Sequence, residues 1–238
     1  PETAAASGLT GKITDPRTLE KSHGESYPKF EYPTYELINR EMLIAPIDDN
    51  ESVKLEKGEN IKSLHEIPEL KDSYRVPILL KMGDNISTDE ILKAGAEVLP
   101  LRSNLPEISK YSFTVIDDTF YDRALEAKDS HRGHIVVAAE NYAQGSSREH
   151  AALAPKYLGQ VAVLAKSYAR IAWQNLVNFG ILPLEFTNES DYDKIEQDDE
   201  ISLDNMIEQV KNGREINIKL IKASGKEKQI KVKHSMSG

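Results

Sequence analysis

The stretch Glu140-Asn141-Tyr142-Ala143-Gln144-Gly145-Ser146-Ser147-Arg148-Glu149-His150 gathers the side chains with the most chemistry to offer. An apolar, strand-like run ends just before it and a helical pattern starts within it. In open parallel sheets, ligands bind beyond the carboxyl ends of the strands. The first turn of a helix offers an anion unpaired N–H groups and a partial positive charge. Gly145 permits close approach of the backbone, and Arg148 adds a planar, two-pronged partner for a carboxylate. Together these read as a site for a carboxylate or another oxyanion. A hydroxyl placed there, Ser146 or Ser147, would lose its proton more readily than a free serine, because the guanidinium and the helix dipole both stabilise the alkoxide. Ser146-Ser147-Arg148-Glu149 is also an S-x-x-E capping box that would serve the helix alone. A capped helix still presents its remaining N–H groups, so both readings stand. His150 is either a base or structural. G-x-S-x-G is absent, so the stretch is not a hydrolase elbow.

Two further segments carry candidates. Gly83-Asp84-Asn85-Ile86-Ser87-Thr88-Asp89-Glu90 follows a strand and opens a short helix. Ser87 and Glu90 make a capping box. Asp89 falls in the first turn, where it either favours the dipole or orients an arginine or a substrate hydroxyl. Arg102, in the Pro-flanked loop Leu99 to Asn104, matters only if the fold brings it near Ser146 and Arg148. Arg170, in Lys166-Ser167-Tyr168-Ala169-Arg170, reads as a structural ion-pairing residue. No G-x-G-x-x-G, P-loop, H-E-x-x-H or EF-hand pattern occurs, and the 6 histidines do not pair at metal-ligand spacing.

The elements that must position these residues follow from apolar spacing. Val76 to Leu80, Tyr111 to Ile116, Ile135 to Ala139, Val161 to Ala165 and Ile181 to Phe186 read as strands, several buried on both faces. Ser146 to Leu158 and Tyr168 to Phe179 read as helices between them. Such β-α-β-α-β alternation predicts an α/β fold with a mainly parallel central sheet flanked by helices. Leu203 to Val210 reads as a short helix, and Ile216 to Ile221 with Gln229 to Val232 as a closing hairpin around Ser224-Gly225. The lysine-rich end, Lys226 to Lys233, reads as an edge strand with a solvated face. Residues 1–72 differ: prolines and charged clusters interrupt them, and they read as a connector with short helices at most.

Composition narrows the function. The chain has 238 residues, 39% hydrophobic and 29% charged, and a net charge of −9. That acidity argues against a nucleic-acid partner, which needs clustered Lys and Arg. No apolar run approaches the roughly 20 residues that span a bilayer, so a membrane partner is not expected. With 0 cysteines the chain holds no disulfide, thiolate nucleophile or Cys-ligated cluster. We expect no metal site and a cytoplasmic location. The opening Pro1-Glu2-Thr3-Ala4-Ala5-Ala6-Ser7 lacks a leader pattern and reads as an internal stretch of a longer reading frame.

Asp84-Asn85-Ile86-Ser87-Thr88-Asp89, Gln144-Gly145-Ser146-Ser147-Arg148-Glu149-His150-Ala151 and Ala165-Lys166-Ser167-Tyr168-Ala169-Arg170-Ile171, continued by Asn175-Leu176 and Gly180-Ile181-Leu182-Pro183-Leu184, together resemble the aconitase superfamily. The likeness covers about residues 75–235, and the first residues resemble the linker that leaves the cluster-bearing part of an aconitase. It implies a swivelling β/β/α domain at 73–238, after a connector at 1–72, which closes over a four-iron-four-sulfur cluster held by other domains. The implied activity is that of an aconitate hydratase, interconverting citrate and isocitrate through cis-aconitate, with a tricarboxylate substrate. Ser146 matches the family's catalytic base, Ser147 and Arg148 its carboxylate binders, and Arg102 a further substrate-gripping arginine. Asp89 and Thr88 match supporting active-site positions. Without cysteines the chain would be inactive alone. Asp89-Glu90 also resembles the small subunits of isopropylmalate isomerases, so a 3-isopropylmalate or homoaconitate hydro-lyase is the alternative.

Overall fold

In this computed structural model the described residues are 1–236 other than 25, 27, 28, 30, 36, 37, 47, 49–52, 65, 131 and 147. They form two compact units, Pro1–Leu55 and Glu56–Gly238. The first carries helix α1 (Glu2–Thr10), stopped by Gly11 in the left-handed conformation, and α2 (Leu19–His23), stopped in the same way by Gly24. Between them Asp15 caps a short 3-10 turn at Pro16–Thr18 through the Arg17 amide, and the Arg17 guanidinium pairs with its carboxylate.

The second unit carries the chemistry. Its elements run β1 (Tyr74–Lys81), α3 (Thr88–Ile91), α4 (Leu105–Ser109), α5 (Phe120–Asp129), β2 (His134–Ala138), α6 (His150–Tyr157), β3 (Gln160–Ala165), α7 (Arg170–Asn178), β4 (Leu182–Phe186), β5 (Glu200–Leu203), α8 (Met206–Asn212), β6 (Glu215–Ile221) and β7 (Glu227–Lys233). The strands close a barrel in the order β1-β2-β3-β4-β7-β6-β5. β1 to β4 pair in parallel, with the helices as crossovers. The β4–β7, β7–β6, β6–β5 and β5–β1 pairs are antiparallel.

The sheet is therefore mixed, and the expectation of a mainly parallel sheet is corrected. Beyond β4 the pairing changes: β5 and β6 are antiparallel although α8 lies between them, and β6 and β7 are joined by a short turn, which can connect only antiparallel neighbours. That turn is Lys222–Gly225, with Gly225 at φ 81. Closure also removes the expected edge: β7 pairs β6 along its length and meets β4 through Glu185↔Lys233 and Phe186↔Val232. Its alternation, Ile230 and Val232 inward and lysines outward, survives.

Two apolar layers hold the parallel arc in place. Val76, Ile78, Ile135, Val137 and Leu164 face the barrel interior with Ile216, Ile218 and Val232. Leu80, Val136, Ala138 and Val163 face outward against Phe120 and Ala124 of α5, Ala151 of α6 and Leu176 of α7. Burial of each Val, Leu, Ile or Phe side chain here contributes about 1.5–3 kcal/mol. β2 and β3 are buried throughout, as their unbroken apolar runs require. The strand expected at Tyr111–Ile116 does not form. Its run is a series of turns with one bridge, Ser112 to Leu92, and Phe113 sits at φ 57. Phe113 is instead a core plug, fully buried with its ring 4.7 Å from that of Phe120.

Candidate functional site

The loops after β1 and β2 are laced into one body. Asn85 and Asn141 adopt left-handed backbones, φ 59 and 58, which Asn tolerates better than other side chains. Asn141 Nδ2 donates to Asn85 Oδ1 and to Gln144 Oε1, both at 3.0 Å, and Gln144 Nε2 donates to the Asn85 carbonyl at 2.9 Å. The backbones are stitched as well: Thr88 N–H donates to the Gln144 carbonyl at 2.9 Å and Gln144 N–H to that of Ile86 at 3.0 Å. Gly145 follows at φ 112, where a Cβ would lie 3.3 Å from Thr88 Oγ1. Ser146 is thereby delivered, exposed, beside the start of α3.

Two longer reaches complete the site. Arg148 Nη1 forms an ion pair with Asp89 Oδ1 and reaches the Leu92 carbonyl at 3.4 Å. His150 Nε2 donates to the Arg102 carbonyl at 2.9 Å, tying the Leu99–Asn104 turn to α6. Ser146, Arg148, Glu149 and His150 thus face Leu92, Lys93, Val98 and Arg102 across an open pocket of ≈ 220 Å³. Two guanidinium groups and a serine hydroxyl share this pocket, a layout suited to holding carboxylates beside a proton acceptor. Asp89 is 63% exposed and Arg148 25%, so their attraction is partly screened and contributes at most about 1 kcal/mol. The value of the pair lies in orienting the guanidinium.

The structure thus brings Ser146, Arg148 and Arg102 together, with Asp89 joined to Arg148 and Thr88 beneath Gly145. Ser147 lies outside the described residues. Arg170, at the exposed start of α7, makes no ion pair among the described residues, contrary to the expected structural pairing. The Ser146/Glu149 capping box is also absent. α6 begins only at His150, with Glu149 as a cap residue whose side chain makes no capping bond. Ser146 precedes the first helical turn, so its acidity would rest on the two guanidinium groups more than on the helix dipole. The Ser87/Glu90 box does form: Glu90 N–H donates to Ser87 Oγ at 3.2 Å, and Ser87 N–H to Glu90 Oε2 at 2.7 Å. Sequence reasoning missed the Asn85–Asn141–Gln144 clasp, for which the only signal was a pair of Asn residues at strand ends.

The chain has 0 cysteines, and no group of three or more His, Asp or Glu converges among the described residues. Its own residues therefore do not fit a cysteine-held iron-sulfur cluster. Nor is any helix among the described residues long and apolar enough to cross a membrane.

Comparison with known proteins identifies the family. Residues 78–189 match the family model described as the aconitase C-terminal domain. A putative mitochondrial aconitate hydratase of Emericella nidulans is 37% identical over 70% of this chain. The chain spans only 23% of that relative's length. A 3-isopropylmalate dehydratase small subunit of Thermotoga maritima is 42% identical over 52% of this chain and 68% of its own length. Among solved structures, a 3-isopropylmalate dehydratase from Methanocaldococcus jannaschii superposes with a TM-score of 0.53 at 29% identity, covering 69% of this chain and 84% of that one. The expected cytoplasmic location is overturned, because the aconitate hydratase and other similar relatives are named as mitochondrial. An acidic, cysteine-free surface suits any aqueous compartment, which is why composition misled.

Proposed function

Because this chain belongs to the aconitase C-terminal domain family, we propose that it supplies the base and part of the carboxylate grip of an aconitate hydratase. In this reading residues 73–238 are the swivelling domain and 1–72 the connector from the cluster-bearing domains. Arg102 and Arg148 each take a substrate carboxylate in a two-pronged hydrogen bond, with Ser147 assisting and Thr88 supporting the loop. Asp89 holds the Arg148 guanidinium in its plane. The Ser146 alkoxide, stabilised by the neighbouring guanidinium groups, removes the carbon-bound proton of the tricarboxylate. Any four-iron-four-sulfur cluster belongs to the partner domains, and without them the chain has no turnover. The observation that carries the reading is the convergence of Ser146, Arg148 and Arg102 on one pocket.

A second reading, the small subunit of a 3-isopropylmalate or homoaconitate hydro-lyase, draws support from the isopropylmalate dehydratase small subunit that is 42% identical. Arg102 favours the first, because a third carboxylate needs a further cation. Assay of the complete protein with citrate and with 3-isopropylmalate separates the two. Faster turnover of citrate is expected, and faster turnover of isopropylmalate would transfer the assignment to the second reading.

A further inference from the structure

Beside Ser146 lies a second cavity of only ≈ 10 Å³, lined by Thr88, Tyr142, Ser146, Arg148 and Asn175 together with four alanines and Leu176. Tyr142 is 1% exposed. Its hydroxyl, fully enclosed, meets no hydrogen-bonding group among the described residues. Burial pushes this phenol far above its ordinary range, so it stays a donor. The residue is rigidly placed. Its N–H donates to the Ser167 carbonyl and its own carbonyl accepts from Ala169 N–H, both at 3.0 Å. Its ring stands edge-on to Tyr168 with centroids 6.0 Å apart.

A buried hydroxyl left unpaired costs about 1–3 kcal/mol. A cavity of about one water's size that offers two to four polar partners holds a water. We propose that Tyr142 and Asn175 are positioning residues of the Ser146 site, acting through one bound water in this cavity. The phenol donates to the water, the Asn175 amide completes its shell, and the water donates to Ser146 Oγ. The alkoxide then gains a hydrogen bond from behind, while neither Tyr142 nor Asn175 touches substrate. This inference rests on the proposed role of Ser146.

The test compares Tyr142→Phe, Asn175→Ala and Ser146→Ala in the complete protein with citrate. Tyr142→Phe and Asn175→Ala should each lower kcat about tenfold with KM within about twofold, as expected when a transition-state interaction is lost. If Ser146→Ala removes turnover while both other variants keep kcat within about twofold, or raise KM alone, the relay is overturned and the function stands. If Ser146→Ala turns over normally, the functional reading fails and takes the relay with it. A high-resolution crystal structure of the unmodified protein provides a check that survives any misfolded variant. It should show an ordered water bonded to Tyr142 Oη and Asn175, and an empty cavity would overturn the relay.

Discussion

Arg148 and Asp89 stand 59 positions apart in the chain, yet the guanidinium of one closes on the carboxylate of the other. The contact exists because β1 and β2 are parallel neighbours. Their carboxyl ends therefore release the α3 segment and the Ser146 loop side by side.

Asp89→Asn should therefore act on substrate binding more than on folding. The pair is partly exposed, so the loss of stability should be under about 1 kcal/mol. A misoriented Arg148 weakens a charge-assisted contact, and KM for citrate in the complete protein should rise about three- to tenfold. Steady-state kinetics checks this; an unchanged KM would mean that Arg148 needs no partner to face the pocket.

Alanine at three glycines should separate by what surrounds each. All three have positive φ, which costs Ala roughly 1 kcal/mol. At Gly225 (φ 81) nothing lies within 4 Å of the new Cβ, so little more is lost. At Gly145 (φ 112) the Cβ meets Thr88 Oγ1 at 3.3 Å, and the Ser146 loop must shift. At Gly133 (φ 71) it lies 2.7 Å from the Gly159 carbonyl, a backbone atom that cannot turn aside. Chemical denaturation of the chain should rank the losses Gly225→Ala, Gly145→Ala, Gly133→Ala in increasing order. Equal losses would show that backbone conformation alone governs them.

His134 should give the fold a sensitivity to acid. Its ring is fully buried between β2 and α5, with its centroid 5.4 Å from that of Phe120. Burial holds its pKa down to about 3; the nearby Gln160 amide, which reaches no hydrogen-bond geometry with the ring, pulls weakly the other way. Above the ordinary histidine value of about 6.5, the residue is neutral in both states and contributes no slope. As pH falls from about 6.5 towards 3, the unfolded chain takes up a proton that the folded one refuses. Stability drops by up to about 1.4 kcal/mol per pH unit in that window. Urea unfolding at pH 6.5 and 5, above the carboxylate range, should show the slope in the parent and a much smaller one in His134→Leu. Equal slopes would assign the effect to other groups.

Much of this was legible in the amino-acid order. Unbroken apolar runs marked β2 and β3, because a strand covered on both faces has no polar side to show. Ser87 and Glu90 announced their box because both partners lie within one turn. Ser146 and Glu149 carry the same signature and fail, since the loop pinned by Gln144 and Gly145 delays α6 to His150. Tyr111–Ile116 alternated like a strand, but Phe113 was taken by the core. β5 is four residues long, too short to show a period, and its pairing with β1 and β6 is what closes the barrel. The approach of Arg102 to Arg148 depended on that long-range topology and on the His150 bond, neither of which is a local property.

The central claim is that Ser146, flanked by two guanidinium groups, removes a carbon-bound proton. Its most direct test is turnover of citrate by the complete protein carrying Ser146→Ala. The account predicts a fall in kcat of at least about 10²-fold, in the range for a lost general base, with the fold and KM little changed. A variant that keeps near-parental kcat would contradict it.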